Sequence, residues 1–158
     1  MPKDLMDWVN AVFPGDEALA ALAELDGAVD HTGAPVDERL LRSAALGSRG
    51  KLKELKDMVA LLKVDWRDVI VAGEYEVSNK KLMRVRDLTK PIPGPDDLRG
   101  MNVTERLLAS GLFPEFERGV RAGSVDAVVA VLRRTFLTGE QARETAAAAI
   151  SNPSNYGF

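Results

Sequence analysis

The sequence predicts an all-α fold of about eight short amphipathic helices, in one compact bundle or in two small helical subdomains joined by a proline-rich strap. Three observations predict it. Apolar residues recur at the three- and four-residue spacing of helices along most of the chain. Residues that favour helix starts and stops separate these periodic segments. Finally, 46% of the 158 residues are hydrophobic, which lets short helices gain stability by packing against each other.

Four helices are predicted before residue 64. The first covers residues 4–13 and ends at Pro14. The second begins near Asp16, carries Leu19, Leu22 and Leu25 as its apolar residues, and breaks at Asp26 and Gly27. Asp37 is suited to cap a third helix that Gly47 stops. The fourth covers residues 51–63, with leucines, Met58 and Val59 as its apolar stripe.

The following segment is ambiguous between helix and strand. Val69, Ile70 and Val71 favour a strand, whereas Asp65 as a cap and Gly73 as a terminator favour a short helix. We interpret residues 65–77 as helix, with a hairpin as the alternative. Ser78 is then expected to cap a basic helix that continues through Arg86 and ends before the prolines at 91, 93 and 95.

The C-terminal part contains clear helix signals. Asn102 with Glu105, and Thr138 with Gln141, have the form of capping boxes. Between them, Pro114 suits a first helical turn and Ser124 a cap. The chain closes on Tyr156 and Phe158, and we expect this aromatic tail to fold back on its own domain, with a partner's groove as the alternative.

These signals predict a domain organisation in three parts. Residues 1–90 form an acidic helical subdomain that ends in a basic helix, residues 91–101 form a Pro/Gly-rich linker, and residues 102–158 form a second helical subdomain with the aromatic tail. Composition supports the division. Residues 1–78 hold 9 Lys/Arg against 15 Asp/Glu, whereas residues 79–158 hold 12 against 9. Such an asymmetry bears on partners more than on fold.

The acidic half suggests the first function, a non-catalytic helical protein-interaction module. It would act as an adaptor, an assembly subunit or an inhibitor of a basic protein, and self-association is also compatible with the charge asymmetry. The partner-binding candidates are acidic residues of the first subdomain: Asp16, Glu17, Glu24, Asp26 and Asp30.

The basic segment 80–90 suggests the alternative, a nucleic-acid-associated regulator. Its cations are Lys80, Lys81, Arg84, Arg86 and Lys90. Phosphate contacts through them would weaken steeply with salt. The sequence pI near 5.3 argues against this function, and internal pairing of these cations with the acidic half explains the patch equally well.

An enzyme is the least favoured function, and we predict no catalytic residue, cofactor or metal site. The single histidine, His31, lies in an acidic loop that fails the EF-hand template, although a carboxylate–histidine site is conceivable there. The turn at Gly47–Lys51 lacks the spacing of a phosphate loop. A GxxG clamp on a nucleic-acid backbone is a further interpretation of that turn, against a plain Gly-Ser turn between helices.

A cytoplasmic location without a membrane partner is expected. The chain has no cysteine, which suits a reducing compartment. Its first residues mix Lys3, Asp4 and Asp7 with apolar side chains, unlike a signal peptide. No later segment reaches the roughly 20 apolar residues of a membrane span.

Overall fold

Five helices and a β-hairpin form the first of two units in the computed structural model, which describes residues 1–158. This unit covers Met1–Ile92. Its elements are α1 (Lys3–Val12), α2 (Asp16–Asp26), α3 (Glu38–Gly47), α4 (Leu52–Leu62), α5 (Trp66–Glu74), β1 (Tyr75–Ser78) and β2 (Lys81–Arg84). The predicted helical architecture is confirmed in its coarse form, but the hairpin makes the strictly all-α prediction wrong. No helix is long and apolar enough to cross a membrane.

The core of this unit lies under the inward faces of the five helices. Leu5, Leu25, Leu55, Leu62 and Val69 have at most 1% of their surface exposed. Helices α3 and α5 pack especially closely, because a Cβ atom at Gly73 would lie 2.5 Å from the Cα atom of Ser43. Glycine therefore allows the two helix backbones to approach at this point.

The expected helix from Ser78 through Arg86 is wrong. Strands β1 and β2 pair antiparallel, with Tyr75 opposite Arg84 and Ser78 opposite Lys81. Asn79 and Lys80 connect them with φ angles of 49° and 61°, the left-handed values that a two-residue hairpin turn requires. The segment 65–77 is thus helix as far as Glu74 and strand from Tyr75 onward.

The second unit covers Pro93–Phe158. It contains α6 (Val103–Ala109), α7 (Phe113–Arg121), α8 (Val125–Arg133), α9 (Gly139–Ser151) and a 3₁₀ turn at Pro153–Tyr156. Both predicted capping boxes are present, at the starts of α6 and α9. The predicted subdomain boundaries at residues 90 and 102, and the linker role of residues 91–101, stay predictions.

The aromatic tail packs against its own unit, as predicted. The Phe158 ring lies 5.8 Å from that of Phe113 and 6.0 Å from that of Phe116, measured between centroids. The Arg121 guanidinium lies 5.6 Å from the Phe158 ring centroid, within the range of a cation–π contact. The tail therefore covers part of the core around Phe116, which is fully buried.

Candidate functional site

The most elaborate polar cluster of the first unit surrounds Glu74, whose side chain is fully buried at the end of α5. Arg39 of α3 donates to both of its carboxylate oxygens, at 2.8 and 3.0 Å, and Arg84 of β2 donates to Oε2 at 2.8 Å. The Leu88 amide donates to Oε1 at 3.2 Å. Burial alone would raise the pKa of the Glu74 carboxyl, but these hydrogen bonds and cations hold the pKa below its ordinary value.

A second carboxylate, Asp4 of α1, is held in the same way. Arg42 of α3 donates to both of its oxygens, at 2.8 and 3.2 Å, and the Ile92 amide donates to Oδ2 at 2.8 Å. Desolvation alone would raise the pKa of Asp4. The hydrogen bonds from Arg42 and the Ile92 amide outweigh it together, so the pKa lies below its ordinary value.

Together Asp4 and Glu74 fix residues 84–92, which we name the latch segment. Arg39 and Arg42 are three residues apart, so they project from the same side of α3. Each arginine holds a carboxylate that also accepts a backbone N–H from the latch segment. Because arginine side chains and backbone amides already donate to these carboxylate oxygens, the arrangement is typical of a cluster that stabilises the fold. Perturbed pKa values alone do not make it an active site.

The structure separates the five cations of the predicted basic patch. Arg84 pairs with Glu74, and the 6%-exposed side chain of Arg86 donates to the Gly73 carbonyl oxygen. Lys90 lies 3.7 Å from Asp87. Lys80 and Lys81 remain exposed at the hairpin tip. The patch is therefore not one continuous basic face.

The division of charge along the sequence does not follow the two units. The first unit contains 14 Lys/Arg and 16 Asp/Glu, and the second contains 7 and 8. Most of the asymmetry disappears because the basic segment folds into the acidic unit, where Arg84 meets Glu74. Any electrostatic attraction to a partner must therefore come from local surfaces.

The five acidic candidates lie on α2 and in the loop after it. Asp16 and Glu17 occupy the first turn of α2, and Glu24 and Asp26 its last turn. Glu24 lies 3.9 Å from the Lys56 ammonium group. Asp30 is apart from the other four, because its Oδ1 accepts hydrogen bonds from Thr32 and from the Ala34 amide. These hydrogen bonds lower the pKa of Asp30, and the one from the Thr32 hydroxyl has the largest effect.

An apolar groove lies beside these carboxylates. It has a volume of about 250 Å³ and is lined by Met1, Met6, Leu22, Ala23 and Asp26. On the exposed side of α2, Leu19 has 71% of its surface accessible. Asp16, Leu19, Ala23 and Asp26 follow one another at helical spacing. We name this surface, with the groove, the acidic groove.

The sequence pattern did not reveal the outward position of Leu19. Leu19, Leu22 and Leu25 read as one apolar stripe, but the buried face of α2 is formed by Ala18, Ala21 and Leu25. The available signal was composition, because seven of the eleven residues of α2 are Ala or Leu, more than one buried face uses. Leu19 and Ala23 therefore place apolar surface on the exposed side of α2, between the carboxylates at its two ends.

A second cleft, of about 400 Å³, lies between the hairpin, α5 and the turn that joins α3 to α4. Arg49 and Lys51 contribute cations to its lining, and Val77 and Leu82 contribute apolar surface. Glu76, 5% exposed, lies 3.8 Å from both Arg49 and Arg86. The turn at Gly47–Lys51 joins α3 to α4, which agrees with both of its interpretations, and the choice between a plain turn and a GxxG clamp stays a prediction.

The exposed part of the hairpin is basic and apolar. Val77 and Leu82 lie opposite each other, with 56% and 57% of their surfaces accessible, and Met83 has 51% accessible. Lys80 and Lys81 lie at the turn. We name Val77 and residues 80–83 the basic hairpin.

His31 is exposed in the loop after α2. No group of three or more His, Asp or Glu side chains lies close enough together to hold a metal ion. The structure therefore does not bring the carboxylates near His31 in the sequence into a metal-binding arrangement with it.

Comparison with known proteins gives no relative, because no family model, curated protein or solved structure matches this chain. The two charged apolar surfaces, the acidic groove and the basic hairpin, are thus the features on which a function can be argued.

Proposed function

We propose that this chain is a non-catalytic protein-interaction module that binds a basic, amphipathic segment of a partner protein in the acidic groove. The observation that carries the proposal is the 71% exposed Leu19 beside an apolar groove lined in part by a carboxylate, that of Asp26. Exposed apolar surface with a polar rim is typical of protein-binding sites.

The chemistry of the groove selects the kind of partner. Helix α2 carries four carboxylates and no basic residue, two in its first turn and two in its last, so a cationic segment gains attraction at both ends of the helix. Met1 and Met6 supply flexible side chains that can adapt to an apolar partner surface. A helix that places apolar side chains in the groove and lysines or arginines toward Asp16 and Asp26 satisfies both requirements.

The nucleic-acid alternative has less support. Two of its five cations, Arg84 and Arg86, already bind groups of α5. The formal charge of −3 for the chain also opposes binding to a polyanion. We propose a cytoplasmic location on the absence of cysteine, which suits a reducing compartment.

The test is an NMR titration of the full chain with a helical peptide of leucine and lysine only, with a scrambled peptide of the same composition as control. We expect shifts confined to α1 and α2, and binding that weakens between about 0.05 and 0.5 M salt because screening increases. Asp16→Lys with Asp26→Lys should weaken binding about tenfold or more. A single-stranded oligonucleotide should leave the same resonances unchanged.

Glu144→Lys provides the matched control, because Glu144 is an exposed carboxylate of α9 in the second unit. It changes the net charge without changing the groove, so the peptide should bind it as it binds the unsubstituted chain. Equal binding to the doubly substituted groove variant, or equal binding of the scrambled peptide, would contradict the proposal.

A further inference from the structure

We infer that the partner in the acidic groove is the basic hairpin of a second copy of this chain, so that copies join head to tail. This inference rests on the proposed function and adds the identity of the partner. Its basis is that one unit presents two exposed apolar surfaces of opposite charge, formed by different residues.

The basic hairpin has the chemistry that the groove requires. Val77 and Leu82 form an exposed cross-strand apolar pair. The turn beyond them presents Lys80 and Lys81. When the hairpin lies along α2 of the other copy, both ammonium groups would lie toward the carboxylates at one end of that helix, either Asp16 and Glu17 or Glu24 and Asp26. Such lysines keep their charged ends in water while their stems cover apolar surface.

The dimensions also agree. Helix α2 has 11 residues, so it presents a face roughly 16 Å long at the usual helical rise. Strand β1 has four residues and spans roughly 13 Å at the usual strand rise. One hairpin can therefore lie along the exposed face of one α2 helix.

Charge favours head-to-tail pairing over a symmetric dimer. A symmetric contact between two hairpins would bring Lys80 and Lys81 against their own copies, and a contact between two grooves would do the same for Asp16 and Asp26. Like charges across an interface oppose association, whereas hairpin on groove places opposite charges together. A contact of this heterologous type leaves one groove and one hairpin unused, so it continues into a ring or a filament.

Two charge-reversed variants test the inference. The groove variant carries Asp16→Lys and Asp26→Lys, and the hairpin variant carries Lys80→Glu and Lys81→Glu. The unsubstituted chain should increase in mass with concentration, from about 1 to 500 µM, in light scattering after size exclusion at low salt. Each variant alone should remain a monomer, because one side of every contact is reversed.

The mixture of the two variants is the decisive sample. The groove variant keeps an intact hairpin, and the hairpin variant keeps an intact groove, so one productive contact is possible. We expect alternating assemblies of the two variants that grow with concentration, because the reversed groove and the reversed hairpin again carry opposite charges and form a second productive contact. Glu144→Lys, at an exposed position of α9, and Lys63→Glu, at the exposed residue directly after α4, are the controls and should assemble as the unsubstituted chain does.

Failure of this inference is distinguishable from failure of the proposed function. An unsubstituted chain that stays monomeric at all concentrations, or a mixture that stays monomeric, would overturn head-to-tail assembly. If the leucine–lysine peptide still binds to α1 and α2 in that case, the proposed function stands with a different partner. Assembly that is unchanged in both variants would also overturn the inference.

Discussion

The first unit uses carboxylates in two different ways. Asp4 and Glu74 are mostly or fully buried, and each accepts a pair of hydrogen bonds from an arginine of α3 and one from a backbone amide of the latch segment. Asp16 and Asp26 lie on α2, exposed to solvent. The same type of side chain thus stabilises the fold in one place and remains available to a partner in the other. The two pairs of carboxylates differ in burial and in the cations that they bind, and the net charge of the chain does not show this difference.

The largest effect should come from Glu74→Gln, which removes the negative charge that Arg39 and Arg84 share. Glu74 is buried, but Arg39 and Arg84 are 35% and 42% exposed and water partly compensates the charge left on them. We therefore expect the free energy of unfolding to fall by about 2 kcal/mol, the cost of losing buried hydrogen bonds to a charged group. Trp8 and Trp66 both belong to the first unit, and their fluorescence during urea unfolding measures this loss. Glu144→Gln, at an exposed position, should change stability by less than about 0.5 kcal/mol; an equal loss would contradict the comparison.

Acid should weaken the first unit through the same two carboxylates. The pKa values of Asp4 and Glu74 are lowered on folding. Their stabilisation is therefore complete above their unfolded pKa values, near 4, and is lost as pH falls through the lower folded values. Urea midpoints from tryptophan fluorescence should decrease between pH 5 and pH 2. Glu74→Gln should show a smaller decrease, and an identical pH profile would remove Glu74 from this account.

The smallest effect should come from Lys80→Gly at the hairpin turn. Lys80 has a φ angle of 61°, and a side chain in this left-handed region costs about 1 kcal/mol that glycine avoids. We expect a small rise in thermal stability. Lys81→Gly is the control, because glycine inside a strand lowers stability by roughly 0.5 to 1 kcal/mol. A stability loss for Lys80→Gly would show that the turn is not strained.

The sequence predicted those parts of the fold that depend on near neighbours. The capping boxes at Asn102 and Thr138 each join residues three positions apart, and both are present. A hairpin was only the alternative for residues 65–77, and its position at residues 75–84 was not predicted, because contacts with residues distant in the sequence hold it. Arg84 returns to Glu74, ten residues earlier, and Arg39 reaches the same carboxylate from α3. A one-dimensional pattern contains no information on such convergence.

The same limit applied to the candidate surfaces. The sequence identified acidic residues on α2, and four of the five lie on that helix. It did not distinguish Asp30, whose carboxylate accepts a hydrogen bond from the Thr32 hydroxyl within the same loop. It also assigned Leu19 to the core, because period alone does not show which of two apolar faces is inward.

The hydrogen bond from the Ile92 amide to Asp4 has a consequence for protein engineering. The Ile92 nitrogen lies 2.8 Å from Asp4 Oδ2, so the last residue of the first unit lies beside its first helix. Adjacent ends permit circular permutation and insertion into a host loop, because a short bridge can close them without disturbing the interior. The turn at Pro14 and Gly15, which is exposed between two helices, offers a place for new ends. A permuted first unit would therefore test whether Met1–Ile92 folds without the second unit.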